Sequence, residues 1–230
     1  MAKLLIYDRF DNQIYTYNNM SENDPMPYSI NNTLTIKEFR GVSGSNTLWT
    51  TTEAMEAWNL TRRSYGEGIH VGYAFRRIWE GGHGTRSQHY AGVSFDVGQG
   101  QGNTRRRKIH QAAENTGAWG YVEPLSMTPT WVHFDRRYGK PACSGTTSGY
   151  PKLSYGSRGC YVMILQDALS TLGYPTGNQI DGKFGSRTER ALIAWQKSVK
   201  LTADGICGCN SWKKLSAAAL GMGRTRTTID

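Results

Sequence analysis

Apolar and polar residues change their spacing several times along the first 140 residues. Alternation on both sides of Asp11 and Asn12, over residues 3–17, predicts a β-hairpin. Residues 18–33 are rich in Asn, Pro, Ser and Asp and predict a loop. Beyond them the spacing predicts a helical turn at 35–40, helices at 52–65 and 103–116, and short strands at 68–75, 93–97 and 131–134. This order of helices and short strands is typical of an α+β domain.

The second half of the chain has a different pattern. Residues 139–158 are dominated by Gly, Ser, Thr, Pro and Tyr and carry no apolar periodicity, which is typical of a linker. Apolar residues then recur at helical spacing in three segments, 161–172, 188–199 and 210–215. We therefore expect a domain at 1–140 (with a hairpin and loop extension at 1–30), a linker at 141–157, a three-helix domain at 158–217 and a tail at 218–230.

Composition excludes some classes of protein. Hydrophobic residues make up 38% of the 230 positions, enough for a core and too many for a disordered chain. No run approaches the roughly 20 apolar residues that a membrane span needs. Asp8 and Arg9 interrupt the apolar start of the chain before a signal peptide can form. We expect a protein made in the cytoplasm without a cleaved signal.

The net charge of +9 indicates an anionic partner, which can be nucleic acid, acidic lipid or an acidic polymer. Residues 151–230 hold 11 basic and 5 acidic residues, a net +6. All four cysteines follow position 140, too few for a disulfide scaffold. Cys207 and Cys209 are too close together for a zinc ribbon. One bridge, from Cys143 or Cys160 to this pair, remains open.

Two histidines and a carboxylate stand at positions that can meet. His89 precedes Asp96 by seven residues, with Gly92 between them to permit a turn, and His133 lies on another predicted strand. Two His and one Asp would leave an open fourth position on zinc, as a catalytic site requires. By spacing alone, a core histidine and a structural aspartate are the more ordinary interpretation.

A resemblance favours the metal. The segment Ser87-Gln-His-Tyr-Ala-Gly-Val-Ser-Phe-Asp96 resembles the Ser-x-His-x-x-Gly-x-Ala-x-Asp signature of the D-Ala-D-Ala carboxypeptidase-like zinc peptidases. This group includes VanY-type carboxypeptidases, phage L-alanyl-D-glutamate endopeptidases and the Hedgehog-related fold. Residues 131–135, Trp-Val-His-Phe-Asp, resemble its second His motif, and the likeness covers roughly residues 30–140. It implies an α+β zinc peptidase domain in which His89, Asp96 and His133 bind Zn²⁺.

Such a peptidase needs a base for the attacking water and a donor for the oxyanion. Relatives place a carboxylate three residues before the last His, where this chain has Thr130. We therefore predict Glu123 as the base and keep Asp135 as its rival, although Asp135 shares a strand face with His133 and suits a supporting role. The predicted oxyanion and substrate donors are His83 and Arg76. Arg77 and Arg86 are alternatives for the arginine, because the matching segment is shifted by two residues.

The second block resembles the three-helix peptidoglycan-binding domain. The resemblance rests on helical Leu and Trp positions and on an internal repeat, Asp181-Gly-Lys-Phe-Gly185 and Asp204-Gly-Ile-Cys-Gly208. Each Asp-Gly supplies a turn between helices. The likeness covers nearly all of residues 158–217 and implies a small all-α domain that binds bacterial peptidoglycan.

The two resemblances together predict a zinc peptidase that cleaves peptide stems or cross-links of peptidoglycan and is targeted to the cell wall by its second domain. We expect a monomeric phage or prophage endolysin that can also contact anionic wall polymers. A bacterial autolysin or a spore-cortex D,D-carboxypeptidase is an alternative, and so is a non-catalytic wall-binding protein with a structural zinc site. Nucleic-acid binding has only the net charge and the basic run 105–108 in its favour, and we do not expect it.

Overall fold

The computed structural model describes residues 1–230. Their contacts divide them into two units. The first unit comprises Met1–Asp11, Tyr15–Phe75 and Gly92–Arg137, and the second comprises Asn12–Ile14, Arg76–Ala91 and Tyr138–Asp230. The N-terminal region is mixed α/β and the C-terminal region is helical. None of the helices combines the length and the apolar character that crossing a membrane requires.

A three-stranded sheet begins the chain. Its strands are β1 (Ala2–Asp8), β2 (Gln13–Met20) and β3 (Thr47–Thr51), in the order β2-β1-β3. Strands β1 and β3 are parallel, with Leu5 opposite Trp49. The predicted hairpin is confirmed: β1 and β2 are neighbours, and Asn12 turns the chain in the left-handed region at φ 58°.

A second, antiparallel sheet carries the predicted chemistry. It consists of β4 (Val71–Tyr73), β5 (Ser94–Val97), β6 (Tyr121–Val122) and β7 (Val132–Asp135), in the order β4-β5-β7-β6. Asp96 lies opposite His133, and Phe95 lies opposite Phe134. Because side chains alternate between faces, the polar pair and the aromatic pair lie on opposite faces of this sheet.

The aromatic face of this sheet packs into the core. Phe95 stacks on Trp58 with ring centroids 4.9 Å apart, and Trp119 lies 4.3 Å from Phe134. The helices of this unit are α1 (Ile36–Arg40), α2 (Thr52–Tyr65) and α3 (Asn103–Thr116), all where the spacing predicts them. The opposite face carries the polar row, of which Asp96 and Asp135 are also buried.

Three further helices form the core of the second unit, α4 (Cys160–Thr171), α5 (Ser186–Ser198) and α6 (Cys209–Ala219). A buried glutamine organises each Asp-Gly turn between them. Gln166 donates to Asp181 at 2.8 Å and accepts from the Gly182 N–H at 3.0 Å. Gln196 makes the same bonds to Asp204 and Gly205, both at 3.0 Å. The internal repeat is therefore a repeated hydrogen-bonded turn.

The segment predicted as a linker makes ordered contacts within the second unit. Cys143 forms a disulfide with Cys209, one of the pairings left open by the sequence, while Cys160 and Cys207 are buried free thiols. Tyr150 is buried, and the indole N–H of Trp212 donates to the Pro151 carbonyl at 2.7 Å. Residues 141–157 are thereby attached to helix α6.

Residues 76–91 also belong to the second unit. The Arg77 guanidinium is fully buried and bonds the Asp167 carboxylate of α4, at 2.6 and 2.9 Å. The Tyr161 hydroxyl, also on α4, donates to the Gln88 side chain at 2.9 Å. This segment carries His83 and His89, so contacts from α4 position the chain that bears both histidines.

Candidate metal centre

Three of the predicted site residues form one cluster. His83, His89 and Asp96 each offer a ligand atom, and these atoms all lie within 4.8 Å of one another. His89 and Asp96 are buried, whereas His83 is half-buried. The three residues fall within one continuous stretch of chain, which local turns fold back on itself.

Residues 76–91, which carry His83 and His89, are called the histidine loop. Glycines and a tyrosine shape this loop. Gly81 and Gly82 have φ values of 67° and 88°, which favour glycine over residues with a side chain. The Tyr90 hydroxyl donates to the His83 carbonyl at 2.9 Å, and burial raises the pKa of Tyr90 to about 12, so this donor keeps its proton. The rings of His83 and His89 stack with centroids 4.2 Å apart.

Gly92 allows the chain to pass from the histidine loop into strand β5. Its φ is +66°, and a Cβ there would lie 1.9 Å from the Trp49 carbonyl oxygen. The Gly92 carbonyl accepts a hydrogen bond from the Thr50 hydroxyl at 2.7 Å. No other residue fits this close approach, and the turn that the sequence motif predicts is present.

His133 contacts the cluster through Asp96. Its Nδ1 lies 2.6 Å from Asp96 Oδ1, and its Nε2 lies 3.4 Å from Asp135 Oδ2. Burial disfavours the charged imidazole, but the bonds to Asp135 and Asp96 outweigh it and raise the pKa of His133 to about 9. The structure thus brings His133 beside a predicted ligand, while the cluster of ligand atoms contains His83 instead.

Asp135 is fully buried and is held by Arg137. The guanidinium Nε and Nη2 atoms lie 2.7 and 2.5 Å from the two carboxylate oxygens, a bidentate pair. Burial opposes the charged carboxylate, but Arg137 and His133 together lower the pKa of Asp135. Asp135 is therefore an anion that orients His133, the supporting arrangement expected behind a metal-binding histidine.

Glu123 lies across the sheet from His133. Its backbone N–H donates to the His133 carbonyl at 2.9 Å, directly beyond the paired residues Val122 and Phe134. Residues opposite each other in an antiparallel pair share a face, so Glu123, His133 and Asp96 form one row. Burial raises the pKa of Tyr121, and the Glu123 carboxylate adds to this rise.

Arg76, the predicted donor, is the first residue of the histidine loop. Its backbone N–H donates to the His89 carbonyl at 3.2 Å, and a Cβ added to Gly82 would lie 3.6 Å from its Nη2. Arg77, an alternative in the sequence, is buried in its ion pair with Asp167 and serves the structure of the loop.

Sequence reasoning missed two supporting residues, Arg137 and Tyr90. Arg137 follows Asp135 by two residues, a spacing that carries no recognisable signal. Tyr90 directly follows His89, and only the folded loop reveals its bond to the His83 carbonyl seven residues away. Both contacts depend on how the chain folds locally, so they are seen only in the three-dimensional structure.

The donor set suits zinc. Zn²⁺ is bound in proteins by histidine nitrogen and carboxylate oxygen, and three protein ligands leave a position for water or substrate. His83, His89 and Asp96 supply two imidazoles and one carboxylate, with a third imidazole on His133 in contact with Asp96. The residues present therefore fit a catalytic zinc ion in both number and chemical type.

Comparison with known protein families gives one match, at residues 158–215, to the family model of the peptidoglycan binding domain. Residues 158–215 are a peptidoglycan-binding domain. The match covers α4, α5 and most of α6, together with both glutamine-centred turns.

Curated proteins similar to this chain include the following two. N-acetylmuramoyl-L-alanine amidase CwlM of Mycobacterium tuberculosis is 44% identical over 54 residues, which are 24% of this chain and 13% of the amidase. An uncharacterized protein encoded in the bpoA1 3′ region of Kitasatospora aureofaciens is 38% identical over 74 residues, 32% of this chain and 62% of that protein. The chain thus spans less than two thirds of the length of either relative.

Among solved structures, a peptidoglycan-binding protein from Clostridioides difficile, crystallised in complex with glutamine hydroxamate, matches 31% of this chain and 44% of its own. The sequence identity is 38% and the TM-score is 0.29.

Proposed function

We propose that this protein is a zinc-dependent hydrolase that cleaves peptide stems or cross-links of bacterial peptidoglycan. The supporting observation is the cluster of His83, His89 and Asp96 in a chain that also carries a peptidoglycan-binding domain. Tethering to an insoluble polymer raises the local concentration of substrate at the site. The domain at 158–215 supplies that tether.

In this proposal His89 and Asp96 hold the metal, and the third ligand is His133, by its motif and its contact with Asp96. His83, the remaining member of the cluster, is then left to face the substrate. When bound, Zn²⁺ would polarise the scissile carbonyl and lower the pKa of the attacking water. Asp135 and Arg137 orient the His133 ring through the bonds described above.

Glu123 moves the proton. As a carboxylate on the same sheet face as His133, it accepts the proton of the attacking water and passes it to the leaving amine. The oxyanion that forms on the substrate carbonyl needs a donor. His83 and Arg76, on the histidine loop, fill this role.

Two alternative functions, one catalytic and one not, each have a specific observation in their favour. Similarity to an N-acetylmuramoyl-L-alanine amidase favours cleavage between the glycan and the stem peptide, rather than within the stem. A wall-binding protein with a structural zinc site is favoured by Thr130, which stands where relatives carry a carboxylate. Under either cellular role, phage endolysin or bacterial autolysin, the site acts on the cell wall.

The test uses purified cell walls and the full-length protein. We expect the walls to lose turbidity, and a zinc chelator to stop this loss. Mass spectrometry of the released fragments identifies the bond: new amino termini within the stem support a peptidase, and free lactyl groups on the glycan indicate an amidase. If the walls stay intact although the protein carries zinc, the hydrolase proposal is wrong, and a wall-binding protein with a structural zinc site is the remaining alternative.

Single variants assign the ligands. His89→Ala and Asp96→Ala are expected to abolish both zinc binding and activity, with exposed His70→Ala as a matched control that keeps both. His133→Ala is expected to lose zinc and His83→Ala to keep it. The reverse result would exchange the roles of these two histidines.

A further inference from the structure

A cavity of about 410 Å³ lies within the second unit, outside the metal cluster. Its walls come from residues 209–217 of α6, from residues 141–150 and from Thr85 and Arg86 of the histidine loop. Volumes of this size are typical of small-molecule sites. The cavity is therefore large enough for a sugar, a short peptide or a phosphodiester unit.

Two cationic side chains line this cavity, whose wall is otherwise uncharged and largely apolar. Arg86 and Lys213 are exposed at its wall, neither forms an ion pair, and no Asp or Glu lines it. Thr146 and Ser148 add hydroxyl groups. Cys209, the first residue of helix α6, also lines the cavity. The wall offers positive charge and hydrogen bonds, the combination that binds anions.

The base of the cavity is held by packed contacts. Tyr150 packs edge-on against Trp212 with centroids 4.8 Å apart, and its hydroxyl donates to the Ser87 carbonyl at 2.9 Å. A Cβ added to Gly149 would lie 3.5 Å from Arg86 Cδ, so the arginine stem rests against this backbone. Preorganised side chains lose less entropy when a ligand binds.

We propose that this cavity binds an anionic group of the cell wall through Arg86 and Lys213. The group is a carboxylate of the peptide stem or a phosphate of an anionic wall polymer, both of which suit a cationic, hydroxyl-lined site. The proposal deepens the proposed function, since it rests on the wall as the substrate. It adds a contact between the wall and Arg86, which lies on the histidine loop.

The test measures binding separately from hydrolysis. Full-length protein is titrated calorimetrically with a disaccharide tetrapeptide and with glycerol phosphate oligomer, in the presence of the uncharged chelator phenanthroline. The variant Arg86→Gln/Lys213→Gln removes both charges. The control Arg190→Gln/Lys197→Gln removes two exposed charges that lie outside the cavity.

We expect the cavity variant to bind at least one probe roughly tenfold or more weakly, because it has lost charge-assisted hydrogen bonds. The control variant should bind both probes as tightly as wild type does. If only the affinity for the disaccharide tetrapeptide falls, the bound group is the stem carboxylate. If only the affinity for the glycerol phosphate oligomer falls, it is the phosphate. Equal binding by wild type and cavity variant, or no binding by wild type, overturns the proposal. Wall hydrolysis is scored independently, so failure of the cavity and failure of the hydrolase remain distinguishable.

Discussion

Replacing Asp167 by alanine tests whether helix α4 holds the histidine loop in place. The substitution leaves the Arg77 guanidinium buried without its main partner. We expect a large loss of stability and, because residues 76–91 carry His83 and His89, weaker zinc binding as well. A helix of the peptidoglycan-binding domain would then have a second role as a support for the candidate site.

The magnitude follows from the geometry. Arg77 and Asp167 are 0% and 1% exposed, and two short charge-assisted bonds join them. The Ile78 N–H also donates to the Asp167 carboxylate, at 3.3 Å. Breaking a buried pair from one side costs about 3–5 kcal/mol. Because Arg77 keeps a contact to Asp230 at 3.2 Å, we expect the lower end, about 3 kcal/mol.

Urea denaturation followed by tryptophan fluorescence measures this loss, which corresponds to a decrease in Tm of roughly 6–12 °C for a chain of this size. Glu67→Ala, which removes the exposed partner of Arg105, is the matched control and should cost at most about 1 kcal/mol. The double variant Arg77→Met/Asp167→Leu should recover most of the stability, since apolar residues of similar volume often replace buried ion pairs at no net cost. A single variant as stable as wild type would refute the reasoning.

Three further predictions concern the site. Glu123→Gln should keep the fold and bound zinc but lose on the order of 10²–10⁴-fold in rate, the usual contribution of general acid–base catalysis, whereas Asp135→Asn should weaken zinc affinity by about 10–100-fold. Zinc content and rate of both variants decide this, and an inactive, zinc-loaded Asp135→Asn beside an active Glu123→Gln would exchange their roles. Gly92→Ala should cost more stability than Gly100→Ala, because both have positive φ but only Gly92 would clash with backbone; equal melting temperatures would contradict this. Zinc should dissociate as the pH falls below the histidine range, since ligands must be deprotonated, and retention at pH 4 would argue against histidine ligation.

Elements defined by local signals could be predicted from the sequence. Thr35 and Glu38 form a capping box that begins α1, and Thr51 caps α2 through the Ala54 N–H. Gly117 ends α3 in the left-handed conformation. These signals lie within four residues of the helix end that they determine, so a single sequence contains all the information needed.

The candidate site could be predicted only in part. His89, Asp96 and His133 follow from a motif, and the pairing of Asp96 with His133 across β5 and β7 is a consequence of strand register. The approach of His83 to the cluster depends on two glycines with positive φ, which composition alone does not reveal. The grouping of residues 76–91 with the helical unit depends on Arg77 and Asp167, which are 90 positions apart.

The bridge between Cys143 and Cys209 makes the cavity sensitive to its redox environment. Thiols stay reduced in most cytoplasms, and disulfides persist in oxidising compartments outside the membrane. The bridge closes a 66-residue separation, for which loop-closure entropy gives a stabilisation of about 4 kcal/mol. Before oxidation, the loop that forms one cavity wall is joined to α6 only by noncovalent contacts. The covalent link between this loop and α6 is thus completed only in an oxidising environment.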